Sequence, residues 1–478
     1  MSGYRDADHV KYSPIREMLT RRNFFQSVGI GVSGMALASL LSEVLAAESR
    51  VKFDVLAKNP HFPPKAKRVI LLFQNGGPSH VDLFDPKKDL TKLEGQQPGE
   101  GYVNTVDPKK TGTWLGSPFK FSRQGQSGME FCELFPHTAR HADDIALIRS
   151  MVTDHSNHEQ AIWNINTGLT TPGRPALGSW VAYGLGTENQ NLPAYVAILN
   201  PHGLPVDGAR NFSNGWLPPI YQGLPMRAEG TPVLNLQPRE PAEAASARLA
   251  LVQKLNREYL RQRPDQLELD ARIASFELAA RMQLAATDAL DLSAESKETR
   301  ALYGTEDAKT GTHARQCLLA RRLIERGVRF VQILHSGQPW DTHKDNENGT
   351  RTMCQKTDQP VAALLTDLKQ RGLLQHTLVI WSGEFGRTPM AEGKDGRDHH
   401  KFAFSLWMAG GGTKGGVTYG KTDDFGYRVV ENPVTVADFH ATVLHQLGLD
   451  HTRLIFHHDT REEKLTDVHP AKVVEAIV

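Results

Sequence analysis

Asp341 and His343 stand two residues apart in Gln338-Pro339-Trp340-Asp341-Thr342-His343-Lys344-Asp345. On an extended backbone that spacing puts a carboxylate and an imidazole on one face. Such donors suit Zn2+, Mn2+ or Fe; the plainer alternative is an Asp–His hydrogen bond within a loop. Similar donors follow: Glu384 in Ser382-Gly383-Glu384-Phe385-Gly386-Arg387, and His399 in Gly396-Arg397-Asp398-His399-His400. Asp341, His343, Glu384 and His399 together could seat one divalent ion, with Zn, Mn, Ca and Mg all left open. Arg387 and Arg397 could grip a sulfate or phosphate oxygen bidentately, or serve as ion pairs.

Upstream, Thr153-Asp154-His155-Ser156-Asn157-His158-Glu159 runs into a helix. Ser156 or Asn157 can cap it. The functional alternative makes His158 or Ser156 a base or nucleophile beside a helix N-terminus, where backbone N–H groups stabilise negative charge. In Gln74-Asn75-Gly76-Gly77-Pro78-Ser79-His80, two glycines and a proline force a tight turn. Asn75 and Ser79 are the candidate substrate contacts there.

These segments follow or precede short apolar runs that read as strands: 68–74, 145–150, 194–199, 329–334, 377–381 and 402–408. Near-continuous apolar runs fit strands buried on both faces, and their alternation with helical periodicity predicts an α/β fold with a mostly parallel sheet. In such a sheet, ligands bind beyond the carboxyl ends of the strands. A block rich in Ala, Leu, Glu and Arg over about 239–295 predicts a helical insertion. Residues 86–130 read as an extended loop or a small β excursion. Gly410-Gly411-Gly412-Thr413-Lys414-Gly415-Gly416 opens no convincing helix, so no P-loop is expected.

The 478 residues carry 55 basic and 54 acidic side chains, which gives no electrostatic case for nucleic-acid binding. Three cysteines without a CxxC exclude a disulfide framework, though one bridge stays open. The first 47 residues read as an export signal: Thr20-Arg21-Arg22-Asn23-Phe24-Phe25, a weakly apolar run free of charge from Asn23 to Ser42, then Ala46-Ala47. Paired arginines indicate the twin-arginine export machinery and place the protein in the periplasm or cell envelope. An uncleaved signal would be its only contact with the membrane. Removing residues 1–46, with their five basic and four acidic side chains, leaves 50 of each sign. Residues 48–478 then form one large domain.

With those motifs assembled, the chain from about 66 to 478 resembles the planctomycete-type DUF1501 proteins and, more distantly, the alkaline phosphatase/sulfatase superfamily. The landmarks are Asn75-Gly-Gly-Pro-Ser-His-Val-Asp-Leu-Phe-Asp-Pro-Lys87, His158 through Gly168, Trp340–His343, Gly383–Pro389 and Gly396–His400. Glu384-Phe385-Gly386 is similar to the superfamily's metal-binding Asp-His-Gly. Asp341/His343 resembles its aspartate–histidine pair, and His399 its further histidine. His158 falls where sulfatases place their nucleophile. Val434–Gly448 resembles a helix late in the main domain, with Asp438 and His440 structural.

The departures are specific. No Cys-x-Pro-Ser-Arg occurs, so formylglycine chemistry is not expected. Phe385 replaces a ligand histidine and Asn75 or Gln74 a first-strand aspartate, which leaves one metal rather than two; Asp82 or Asp85 could substitute. The resemblance implies an exported metal-dependent hydrolase of sulfate or phosphate esters, on a small molecule or a polysaccharide. Its alternative is a catalytically degenerate binding or accessory protein of the cell envelope.

Overall fold

The computed structural model describes residues 54–233, 241–262, 267–467 and 469–478; the export signal expected over 1–47 lies outside them. Ten strands matter for the site. They are β1 (Arg68–Phe73), β2 (Ile145–Met151), β3 (Tyr195–Leu199), β4 (Leu224–Arg227), β5 (Phe330–Leu334), β6 (Thr377–Ser382), β7 (Gly386–Glu392), β8 (Gly396–His400), β9 (Phe404–Ala409) and β10 (Val417–Tyr419). The helices of nine residues or more are α1 (His158–Thr167), α2 (Leu177–Leu185), α3 (Ala242–Arg261), α4 (Leu267–Leu290), α5 (Gly311–Glu325), α6 (Asn346–Gln370) and α7 (Val436–Gln446).

Eight strands form one sheet in the order β10-β2-β9-β6-β1-β5-β3-β4. Only β9 runs against its neighbours; the other pairings are parallel. Each of the six apolar runs became a strand of this sheet, because alternate residues bury on opposite faces. Ile70, Leu72, Val331 and Ile333 pack with Leu318 and Leu323 of α5 and Leu364 of α6. Val69, Leu71, Phe73 and Phe330 pack on the other face with Ile162 of α1, Trp180 of α2 and Val443 of α7. The edge strands β4 and β10 were not foreseen, since both are short and half exposed and so lack a continuous apolar run. Helices α3 and α4 lie within the 239–295 block. Within 86–130 lies the small hairpin Phe121–Gln124/Met129–Cys132. All three cysteines are free and buried.

β7 and β8 form a separate antiparallel hairpin that folds over the carboxyl edge of the sheet. Its register slips between Arg397 and His399. Arg397 is fully buried and binds Asp82 through Nε at 2.7 Å and Nη2 at 2.9 Å, while Asn346 adds 2.8 Å to the same carboxylate. Thr388 and Gly116 carbonyls take its other N–H groups. Arg397 is therefore a buried anchor and not the anion grip expected from sequence. Burial would raise the Asp82 carboxyl, but Arg397 outweighs it and holds the group below the usual range. Neither Asp82 nor Asp85 substitutes as a ligand: Asp85 pairs with Lys87 at 3.0 Å and accepts from Thr422.

Removing one partner of a buried pair strands the other charge, at a cost of about 3–5 kcal/mol. Arg397→Met is expected to lose that much in urea unfolding. Asp82→Leu combined with Arg397→Met is expected to recover most of it, because no lone charge remains.

Candidate metal centre

Five chain segments meet beyond the carboxyl ends of β1, β2, β5 and β6. Glycines make the meeting possible. Gly76 has φ +117°, and a Cβ there would stand 2.7 Å from the Trp340 and Asp341 nitrogens. Gly77 has φ +70°, and a Cβ there would enter the Phe385 ring at 2.4 Å. At Gly396 a Cβ would stand 1.8 Å from the His343 carbonyl, so the β7–β8 hairpin can cross the Asp341–His343 loop only as glycine. The Arg397 N–H donates to the Thr342 carbonyl at 3.0 Å and secures that crossing.

Oδ1 of Asp341 is the shared point. Nε2 of His158, His343 and His399 lie 3.3, 3.1 and 3.3 Å from it. The His343 and His399 Nε2 atoms are 2.9 Å apart. Each imidazole is fixed from behind through Nδ1: His158 by Glu384 at 2.6 Å, His343 by Glu392, and His399 by the Ser156 carbonyl at 2.7 Å. Locking Nδ1 orients a ring and turns its Nε2 outward, the usual support of a metal-binding histidine.

Glu384, expected to be a ligand, is thus one step removed. It is fully buried and accepts from the Gly76 N–H at 2.9 and 3.2 Å as well as from His158. His158, expected as base or nucleophile, instead joins His343 and His399 around Asp341. Ser156 is buried and its hydroxyl donates to Thr105 at 3.0 Å; its backbone carbonyl is what serves the site. Asn157 stands at the helix N-cap, yet its side chain makes no capping bond.

The four expected substrate contacts are also internal. Asn75 donates to the Gly337 carbonyl and accepts from the His335 N–H at 3.2 Å. Ser79 is buried beside Asp82. Arg387 is fully buried, donating to the carbonyls of Gly76, Gly77 and Arg397 and to Asp341 Oδ1. Like Arg397, it holds the frame rather than facing solvent. Glu392 and Asp398 were missed. Asp398 is buried and accepts from the His399 N–H at 2.8 Å, and its donor atoms lie within 4.8 Å of those of His343 and His399. Neither stands out in sequence; both lie in the β7–β8 hairpin, whose fold against the Asp341–His343 loop is what brings them to the site.

The donor set fits a divalent ion on three counts. His158 Nε2 is buried with no hydrogen-bond partner. His399 spends its Nδ1–H on a carbonyl, and burial lowers its pKa to about 4, so its neutral Nε2 presents a lone pair towards Asp341 Oδ1. His343 Nε2, 2.9 Å away, can donate a proton to that lone pair, and a divalent ion could take the proton's place. Two overlapping triads, His158/Asp341/His399 and His343/Asp398/His399, each bring their donor atoms within 4.8 Å of one another, and the four separations above are near the ~3.3 Å between neighbouring ligands of tetrahedral Zn2+. The site opens on the His343 side, where that side chain is 38% exposed against 9% for His158 and 10% for His399. Phe385 closes the inner side, its ring centroid 4.8 Å from His158 and 4.7 Å from His399.

A mostly parallel α/β chain carrying a three-histidine, one-aspartate cluster at the carboxyl edge is the class so defined. The chain belongs to the DUF1501 family, described as a protein of unknown function, whose model matches residues 66–478. No curated protein matches the sequence. Among solved structures it is similar to Ps i-CgsB, at 11% identity over 80% of this chain and 72% of that one, with a TM-score of 0.36. It is also similar to the PsFucS1 sulfatase from Pseudoalteromonas sp., at 13% identity over 80% and 68% with a TM-score of 0.32. A third is an alkaline phosphatase superfamily protein from Vibrio parahaemolyticus, at 11% identity over 84% and 73% with a TM-score of 0.35.

Two outcomes test the cluster. His343→Ala is expected to abolish bound divalent ion by elemental analysis, and Glu392→Ala to weaken binding by about 10–100-fold; full retention in His343→Ala contradicts the ligand assignment. Acidity supplies the second. Burial opposes protonation of His158, but Asp341 and Glu384 outweigh it and raise its pKa; Asp341, against burial, does the same for His343. A bound ion must displace those protons, so affinity rises with pH, by about tenfold per unit for each proton displaced. Metal titrations at pH 6 and pH 8 read the slope, and a flat profile contradicts it.

Proposed function

We propose that this chain is an exported, divalent-metal-dependent hydrolase of sulfate or phosphate esters. The observation that carries the reading is the convergence of three imidazole Nε2 atoms on one carboxylate oxygen, each held by a partner on Nδ1. Asp341, His158, His343 and His399 would hold the ion. Three nitrogens to one oxygen favour Zn2+, Mn2+ or Fe2+ over Ca2+ and Mg2+, which prefer all-oxygen sites. When bound, such an ion polarises an ester oxygen and makes a coordinated water more acidic.

The remaining tasks fall to the chain. Glu384 and Glu392 hold His158 and His343 with Nε2 forward. Arg387 keeps Asp341 ionised: burial would raise that carboxyl, but the surrounding histidines and the guanidinium drive it far below the usual range. Phe385 keeps water from the inner side, so substrate reaches the centre past His343. The ester specificity and the twin-arginine route rest on the sequence resemblance and the Thr20–Phe25 motif.

One observation favours a second reading, a cation-dependent binding protein of the cell envelope. The Ser156 hydroxyl is committed to Thr105, so the expected side-chain nucleophile does not face the cluster. Purified protein loaded with Zn2+ or Mn2+ is expected to hydrolyse an aryl sulfate or aryl phosphate ester. His399→Ala is expected to lower turnover by about 100-fold or more, as removing a group that orders the reacting centre does. One equivalent of tightly bound ion with no turnover on either ester would select the binding protein.

A further inference from the structure

Helix α3 turns its most apolar stripe away from the protein. Its half-buried residues are Leu249, Gln253, Asn256 and Leu260, one helical face, and the helix packs against α4. About a third of a turn away, Leu251, Val252 and Leu255 are 57%, 42% and 61% exposed. Among its described positions none is buried. Phe276 on α4 is 74% exposed.

Exposed Arg248 lies at the N-terminal end of the stripe itself, one turn before Leu251 and Val252, and beside the stripe runs a basic flank of Lys254, Arg257 and Arg261, all exposed. Arg261 pairs with Glu258 at 3.3 Å. Across Ala242–Arg261 there are four basic residues and two acidic ones. An apolar stripe on a helix of low overall hydrophobicity, bordered by lysine and arginine, is the pattern of a helix that lies in a lipid interface. Among the described residues no helix is long and apolar enough to cross a membrane, so the contact would be parallel to the surface.

We propose that α3 docks flat on an anionic lipid surface. Leu251, Val252 and Leu255 enter the boundary between headgroups and acyl chains, and Lys254 and Arg257 meet lipid phosphates. The charge favours lipid over an antiparallel second copy of this chain, because that two-fold pairing through the stripe would bring one basic flank towards the other. Sequence suggested membrane contact only through an uncleaved signal; this surface is a separate contact and is independent of whether the metal centre turns over.

The native cysteines are buried, and burial pushes the Cys132 thiol up to about 12, so a Val252→Cys full chain can be labelled at α3 with an environment-sensitive fluorophore. Phosphatidylglycerol vesicles are expected to shift its emission to the blue, and phosphatidylcholine vesicles to leave it unchanged. Adding Lys254→Glu and Arg257→Glu is expected to weaken the response by on the order of tenfold or more. That variant keeps the N-terminal segment, so any contribution of the signal to vesicle binding is common to both proteins. No shift on anionic vesicles overturns the proposal, as does an equal shift on neutral ones. A shift without vesicles that grows with protein concentration assigns the stripe to a second copy and overturns it too.

Discussion

The crowding around Oδ1 of Asp341 is the constraint on which the rest of this structure depends. Three imidazole nitrogens and a buried guanidinium converge on that one oxygen. A lone carboxylate cannot accept a hydrogen bond from all of them, and His399 has no proton to give on the facing nitrogen. Protons on His158 and His343, or a cation in their place, balance that carboxylate. The supporting residues make sense in that light. Glu384, Glu392 and the Ser156 carbonyl spend themselves on the far side of each ring, at the expense of burying a carboxylate such as Glu384 completely.

Close backbone approach is what lets the cluster assemble. The loop after β1 slides between the Asp341 loop and Phe385 because Gly76 and Gly77 lack side chains, and the β7–β8 hairpin crosses the His343 carbonyl at Gly396. Arg387 and Arg397 then tie hairpin to sheet from inside. Both have every side-chain N–H directed at protein oxygen or hidden from water, which is why they brace the centre instead of meeting an external anion. The α7 helix is likewise a structural support: Asp438 closes a capping box with Thr435, and His440 binds the Ile165 carbonyl at 2.9 Å.

Much of the donor set could be read from residue types. Asp341, His343 and His399 stand out in sequence as carboxylate and imidazole groups in the segments that flank the strands, and the structure brings them together. Glu384 reads in sequence as a ligand and in the structure accepts from His158 Nδ1 and the Gly76 N–H, since a glutamate supporting a histidine and one holding an ion have the same signature in sequence. Glu392 escaped notice because it sits at the far end of β7, beside a turn where acidic residues are ordinary. His158 was read through its helix-start position, which suggested a reacting group rather than a third imidazole.

Sequence alone determined the sheet. Runs such as Arg68–Phe73 and Thr377–Ser382 are apolar on successive residues, and burial of both faces leaves few other ways to satisfy them. It also determined that chemistry would gather at the carboxyl edge, because the glycines and polar residues follow those runs directly. Tertiary structure decided which way each polar side chain turned. A histidine's Nε2 points at a neighbour only once a residue from another segment of the chain has claimed its Nδ1, and an arginine becomes an anchor or an anion grip according to whether water still reaches it. Those are contacts between distant segments, set by packing and by glycine crossings that no local spacing encodes.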